Sequence, residues 1–138
     1  MAVAYQSSNE LLLKHLSDLS RYFHLWIDDY CRFVIVRHVC LPPGYDFRWA
    51  DLLIEIPRDY PLSPPGVGGN HIYVSPFLQF CGRDLKDLDY RWQPGYATPG
   101  FGPWGWWCYE QIRWSPKRDN LIRLVEMIRA DMTNPPTR

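Results

Sequence analysis

Four prolines within nine residues, Pro57, Pro61, Pro64 and Pro65, constrain this chain more than any other feature. Each fixes φ and removes a backbone donor, so none can stand inside a paired central strand. The residues before them, Asp51 to Ile56 (DLLIEI), form a short apolar run bounded by the first of those prolines, and this reads as a strand. The prolines close that strand and force the chain beyond it onto a stiff, extended path that can carry it round a sheet edge.

The remaining elements are arranged about this strand. Leu11, Leu12, His15, Leu16 and Leu19 recur with helical spacing behind Ser8 and Asn9, which predicts a helix over Asn9 to Leu19 with a polar cap. From Arg21 the period changes to two: Tyr22, His24 and Trp26 alternate with Phe23, Leu25 and Ile27 until Asp28-Asp29. Cys31 to Val39 is again rich in Val, Ile and Phe. The two runs predict a hairpin about an acidic turn. Leu41-Pro42-Pro43-Gly44 reads as a loop, and His71 to Val74 as a fourth strand. Leu121, Ile122, Leu124, Val125 and Ile128 share one face of a helix expected over Lys117 to Asp131. Asn134-Pro135-Pro136 stops it, leaving 133–138 as a tail. The expectation is an α+β fold in one domain over 1–138: an N-terminal helix packed beside a four-strand antiparallel meander, a long irregular loop, and a C-terminal helix covering one face.

Between the fourth strand and the last helix, Ser75 to Gly105 is dense in Gly, Pro and aromatic residues. Its rings, among them Phe77, Phe80, Tyr90, Trp92, Tyr96, Phe101 and Trp104, are too many for a free linker. The segment is expected to lie on the fold as an irregular, aromatic-anchored flap. Asp84 to Leu88 allows one helical turn, and Asp84, Asp87 and Asp89 read as a solvated turn. The Phe101 to Trp107 run (FGPWGWW) reads as structural filling.

Composition narrows the function. Fifteen basic and fifteen acidic side chains cancel, which removes the positive footprint that nucleic-acid binding requires. No apolar run approaches membrane-spanning length and the N-terminus carries no secretory pattern, so a cytoplasmic protein without a membrane partner is expected. Cys31, Cys40, Cys81 and Cys108 contain no C-x-x-C pair, and His15, His24, His38 and His71 contain no H-x-x-x-H pair. Neither a metal nor a cofactor is expected. The thiols are then reduced, either as small buried hydrophobes or as one nucleophile.

Three pieces in chain order carry a resemblance. The Asp51 to Pro57 strand leads into Tyr60-Pro61-Leu62-Ser63-Pro64-Pro65; Cys108 stands six residues before Trp114-Ser115-Pro116; and an amphipathic helix follows that proline. This pattern resembles the ubiquitin-conjugating (E2) family, and most resembles its bacterial members found beside E1-like and ubiquitin-like genes, in which a Leu-Pro-Pro-Gly segment precedes the third strand. The resemblance implies that Cys108 is the catalytic residue of a transferase. It would accept a ubiquitin-like protein as a thioester from an E1-like activating enzyme and pass it to an amine on a protein target. The family context further implies a role in phage defence, and places any contact with the E1-like enzyme on the N-terminal helix.

A thiolate suits that task, being both a strong nucleophile and a good leaving group. Trp106, Trp107 and Tyr109 flank Cys108, so desolvation is expected to raise its pKa. The same surroundings also suit a buried core thiol. The family's His-Pro-Asn triplet is replaced by Ser75-Pro76-Phe77, no Asn lies between Ser75 and Cys108, and the Cys108 to Trp114 spacing is two residues shorter than in typical relatives. Tyr96, Tyr109 and His71 are the polar groups available to stabilise an oxyanion. A non-catalytic E2-like module that binds or scaffolds a ubiquitin-like protein therefore remains the alternative. A fold-unrelated, aromatic-rich ligand-binding domain is a third. Cys81, ahead of Trp92-Gln93-Pro94, is the competing thiol, while Cys31 and Cys40 read as packing residues.

Overall fold

The computed structural model describes residues 2–65, 72–75, 78–84, 92–94, 104–107 and 113–133. The first helix, α1 (Ala2–Ser20), begins seven residues before the expected Asn9. Ala2, Ala4 and Gln6 are good helix formers, so Ser8 and Asn9 stand inside the helix instead of capping it. Its Leu12, Leu16 and Leu19 are buried.

The alternating runs become β1 (His24–Ile27), β2 (Phe33–Cys40) and β3 (Trp49–Glu55), followed by β4 (Ile72–Val74). All four pair antiparallel in sequence order, as the meander predicts. The β1–β2 loop is closed by Asp28, whose Oδ1 accepts the backbone N–H of Arg32 at 2.7 Å and of Phe33 at 2.8 Å. In β2 the pairing slips between Val36 and Val39, so that Arg37 and His38 together oppose Asp51. His38 adopts φ 56° and donates its N–H to Asp51 Oδ1 at 3.0 Å. This bulge resets the alternation, and Val34, Val36 and Val39 all reach the same core.

Beyond β4 the structure departs from the expected irregular loop. β5 (Gln79–Phe80) and β6 (Arg83–Asp84) form a hairpin, and β7 (Trp92–Pro94) and β8 (Gly105–Trp107) extend the main sheet. Among the described residues that sheet has six strands, in the order β1-β2-β3-β4-β8-β7, antiparallel throughout. Strands of two or three residues carry too little alternation to be read from periodicity. Pro94 is tolerated because β7 lies at the edge. The β5–β6 turn is Cys81-Gly82, with φ of 51° and 80°, a mirror-image turn normally announced by Asn-Gly. Asp84 is in β6, not in a helical turn, and accepts from Gln79 Nε2 at 2.9 Å; Asp87 and Asp89 lie outside the described residues, as does the tail 134–138.

The second helix, α2 (Leu121–Met132), starts four residues later than Lys117. Ser115 to Asp119 closes a turn of its own: Asp119 Oδ2 accepts the Ser115 N–H at 2.6 Å, and the Asp119 N–H donates to the Ser115 carbonyl at 2.8 Å. Asn120 is the cap, its Oδ1 accepting the Arg123 N–H at 2.9 Å. Both helices lie on one face of the sheet, where Leu16, Leu19, Leu124 and Ile128 meet Val36, Leu52, Ile54 and Ile72 in a single core. Leu53, Tyr73 and Trp104 form a smaller cluster with Phe33 and Ile35 on the alternate, opposite set of strand positions.

Candidate active site

The register gives the sheet two ends with different furnishings. At one end β1 enters the Asp28 loop, β3 runs out toward Pro57 and Tyr60, and β8 finishes at Trp107, the residue before Cys108 in the sequence. β3 and β8 are separated only by β4, so their ends are about 10 Å apart across the sheet. Cys108 itself, together with Tyr109, Tyr96 and His71, lies outside the described residues. The segment that follows returns to this end of the fold, because Trp114 Nε1 donates to the Pro61 carbonyl at 2.7 Å. That bond joins the two motifs that flank Cys108 in the sequence.

Tyr60 is the centre of the junction. It is buried, its ring lies 5.8 Å from that of Trp114, and its hydroxyl shares a hydrogen bond with His15 Nδ1 of α1 at 2.7 Å. The rings of His15 and Tyr60 meet edge to face at 5.6 Å. α1, the Tyr60-Pro61 loop and the Trp114-Ser115-Pro116 turn are thus tied in one chain of contacts. Burial, and secondarily Asp119, raise the pKa of Tyr60 and keep it a phenol. His15 carries no sequence signal beyond its place in the α1 apolar stripe; its role as the hydrogen-bond partner of Tyr60 is visible only in three dimensions.

Burial also lowers the pKa of His15, against the pull of Asp18 and with a smaller push from Lys14. The unfolded chain therefore binds a proton that the folded chain resists. Stability is expected to fall as pH drops through about 6.5 and to level off below the folded value, with a slope from this group of at most about 1.4 kcal/mol per pH unit. His15→Gln keeps a hydrogen-bonding side chain for Tyr60, able to donate or accept, and cannot titrate. Urea midpoints at about pH 7.5 and about pH 5.5 should differ less for His15→Gln than for the unsubstituted chain; parallel slopes would exclude His15 as the source.

The other thiols separate cleanly. Cys81, the competing candidate, is exposed and sits in the β5–β6 turn. That hairpin is bound to the Leu41 to Arg48 loop through the Cys81 N–H to Gly44 carbonyl bond at 2.8 Å and the Asp46 N–H to Gln79 carbonyl bond at 3.0 Å. This is the end where β2 finishes and β3 starts, opposite to the Tyr60 junction. Of the segment expected to lie on the fold as an aromatic-anchored flap, Gln79 to Asp84 pack at this end of the sheet, against the Leu41 to Arg48 loop. Cys40 is exposed at the end of β2 instead of packing in the core. Cys31 is half-buried, and burial followed by Asp28 raises its pKa, which holds it as a thiol.

The Ser75 hydroxyl is committed to structure, accepting the Asp51 N–H at 2.9 Å, while the Ser75 N–H donates to the Asp51 carbonyl at 3.1 Å. Among the described residues no group of three or more His, Cys, Asp or Glu side chains could hold a metal ion, and no helix is long and apolar enough to cross a membrane. No family model, curated protein or solved structure matches the chain.

Proposed function

We propose that this chain is an E2-like conjugating enzyme, with Cys108 accepting a ubiquitin-like protein from an E1-like activating enzyme and passing it to an amine of a protein target. The observation that carries the reading is the Trp114 to Pro61 hydrogen bond. It joins the Tyr-Pro loop to the Trp-Ser-Pro turn at the sheet end where β8 leads toward Cys108. A helix α1, an antiparallel meander with the Tyr-Pro loop between its third and fourth strands, the Trp-Ser-Pro turn and α2 follow one another as the resemblance to the ubiquitin-conjugating family implies, and support the same reading.

The chemistry is a thioester exchange followed by aminolysis. The Cys108 thiolate attacks the thioester carbonyl carbon held by the E1-like enzyme, the C–S bond to that enzyme breaks, and its thiolate takes up a proton. A target amine then attacks the new thioester, loses a proton, and frees the Cys108 thiolate. The substrate arrives activated, so the protein has mainly to position two acyl carriers and an amine.

A second reading, the non-catalytic binding module, is favoured by Ser75. It stands where the family's oxyanion-stabilising triplet would begin, and its hydroxyl is already spent on Asp51. One experiment separates the two. Mixed with its E1-like enzyme, ATP and the ubiquitin-like protein, the chain should form a covalent adduct that thiols reverse. Cys108→Ser should give an adduct stable to thiols, and Cys108→Ala none. An adduct that persists in Cys108→Ala, or maps to Cys81 by mass spectrometry, would falsify the assignment; no adduct at all would favour the binding module.

A further inference from the structure

A cleft of about 610 Å³ opens between α1, the β1–β2 loop and the exit of β3. Its floor is apolar, built from Leu12, Ile56 and Pro57, and Arg32 and Arg58 belong to its lining as exposed residues. Neither guanidinium has an ion-pair partner among the described residues. The one carboxylate in the lining, Asp28, already accepts two backbone N–H groups within its own loop. The Tyr60 hydroxyl is likewise committed to His15. What remains for a ligand is an apolar floor, two guanidinium groups without an ion-pair partner among the described residues, and the ring of Tyr30, which is 85% exposed.

We infer that this cleft docks an acidic peptide segment of a partner protein, seating an apolar side chain on the floor while its carboxylates meet Arg32 and Arg58. The arginines set the sign of the ligand, because a planar guanidinium pairs with a carboxylate through two parallel hydrogen bonds. Shape sets its size. A small molecule gains affinity by being enclosed over most of its surface, whereas this cleft is open to solvent and flanked by exposed residues. A chain that crosses it and adds contacts on Tyr30 and both arginines gathers the area that enclosure would otherwise supply. The inference does not depend on Cys108 and stands or falls separately from the proposed transfer reaction.

A random peptide library displayed on phage, selected against the full chain at low ionic strength, tests it. Selected peptides should combine an apolar residue with flanking Asp or Glu, and their synthetic forms should bind in fluorescence anisotropy. Arg32→Glu with Arg58→Glu should weaken that binding by roughly tenfold or more, and added salt should weaken it further. Arg83→Glu, in the far hairpin, should leave it unchanged. Both arginines are exposed, and circular dichroism of the double variant verifies that the fold persists. Amide shifts induced by the peptide should centre on residues 28–33 and 56–60. Selection of neutral or basic peptides, no enrichment, equal binding to the double variant, or shifts centred elsewhere would each overturn the assignment.

Discussion

Gly44→Ala is expected to destabilise the chain by about 2–4 kcal/mol, although it adds a single methyl group to an exposed loop. Gly44 holds φ 105°, a backbone conformation that L side chains rarely adopt. An alanine Cβ would also overlap Phe80 Cε2 and stand 2.8 Å from its Cζ. Phe80 has little freedom to withdraw. Its ring meets that of Tyr45 edge to face at 5.1 Å, Tyr45 bridges to it through the backbone, and the Tyr45 hydroxyl donates to the Met132 carbonyl at the end of α2 at 2.8 Å. Displacing Phe80 therefore disturbs the hairpin, the loop and the helix terminus together. Gly82→Ala is the control: its φ is 80°, but among the described residues, its two chain neighbours aside, no atom lies within 4 Å of the added Cβ. It should cost only the backbone share, about 1 kcal/mol. Urea midpoints measure both, and equal losses would show that contact with Phe80 contributes nothing.

This position also shows what the sequence can and cannot disclose. Leu41-Pro42-Pro43-Gly44 is legible as a loop, because proline cannot continue a central strand. Its partner is not: Gln79-Phe80-Cys81-Gly82-Arg83-Asp84 has neither the length nor the alternation of a strand pair. The hairpin exists because Gly44 and Asp46 supply backbone partners from elsewhere in the chain. β8 is hidden for the same reason, since its pairing partners Ile72 to Val74 and Trp92 to Pro94 are distant in sequence. By contrast, β2, β3 and the apolar face of α2 announce themselves through runs long enough to show their period. Asp119 and Asn120 explain the late start of α2: Asp119 closes the turn back to Ser115, and Asn120 caps the helix that follows. Of the site, Tyr60, Pro61 and Trp114 are readable as motifs and His15 only as part of a stripe. Their mutual contact is tertiary and leaves no local trace.

Trp114→Ala tests what that contact does. The indole is half-buried, its Nε1–H satisfies the Pro61 carbonyl, and its ring covers one side of Tyr60. Truncation removes the packing and orphans the carbonyl, so stability should drop by about 2–3 kcal/mol, below the full cost of a completely buried tryptophan. Trp114→Phe retains most of the ring contact and loses only the hydrogen bond, at about 1 kcal/mol. If the junction also fixes the chain on the C-terminal side of Cys108, the variants should separate in a second assay. At a temperature where each is more than nine-tenths folded by denaturation, the rate of adduct formation per folded molecule should fall roughly tenfold for Trp114→Ala, and Trp114→Phe should fall between it and the unsubstituted chain. A misplacement of about 1 Å is enough for losses of that size, because exchange between two thioesters depends on alignment more than on intrinsic reactivity. Rates unchanged per folded molecule, alongside the expected loss of stability, would confine Trp114 to holding the fold and leave the geometry around Cys108 to other residues.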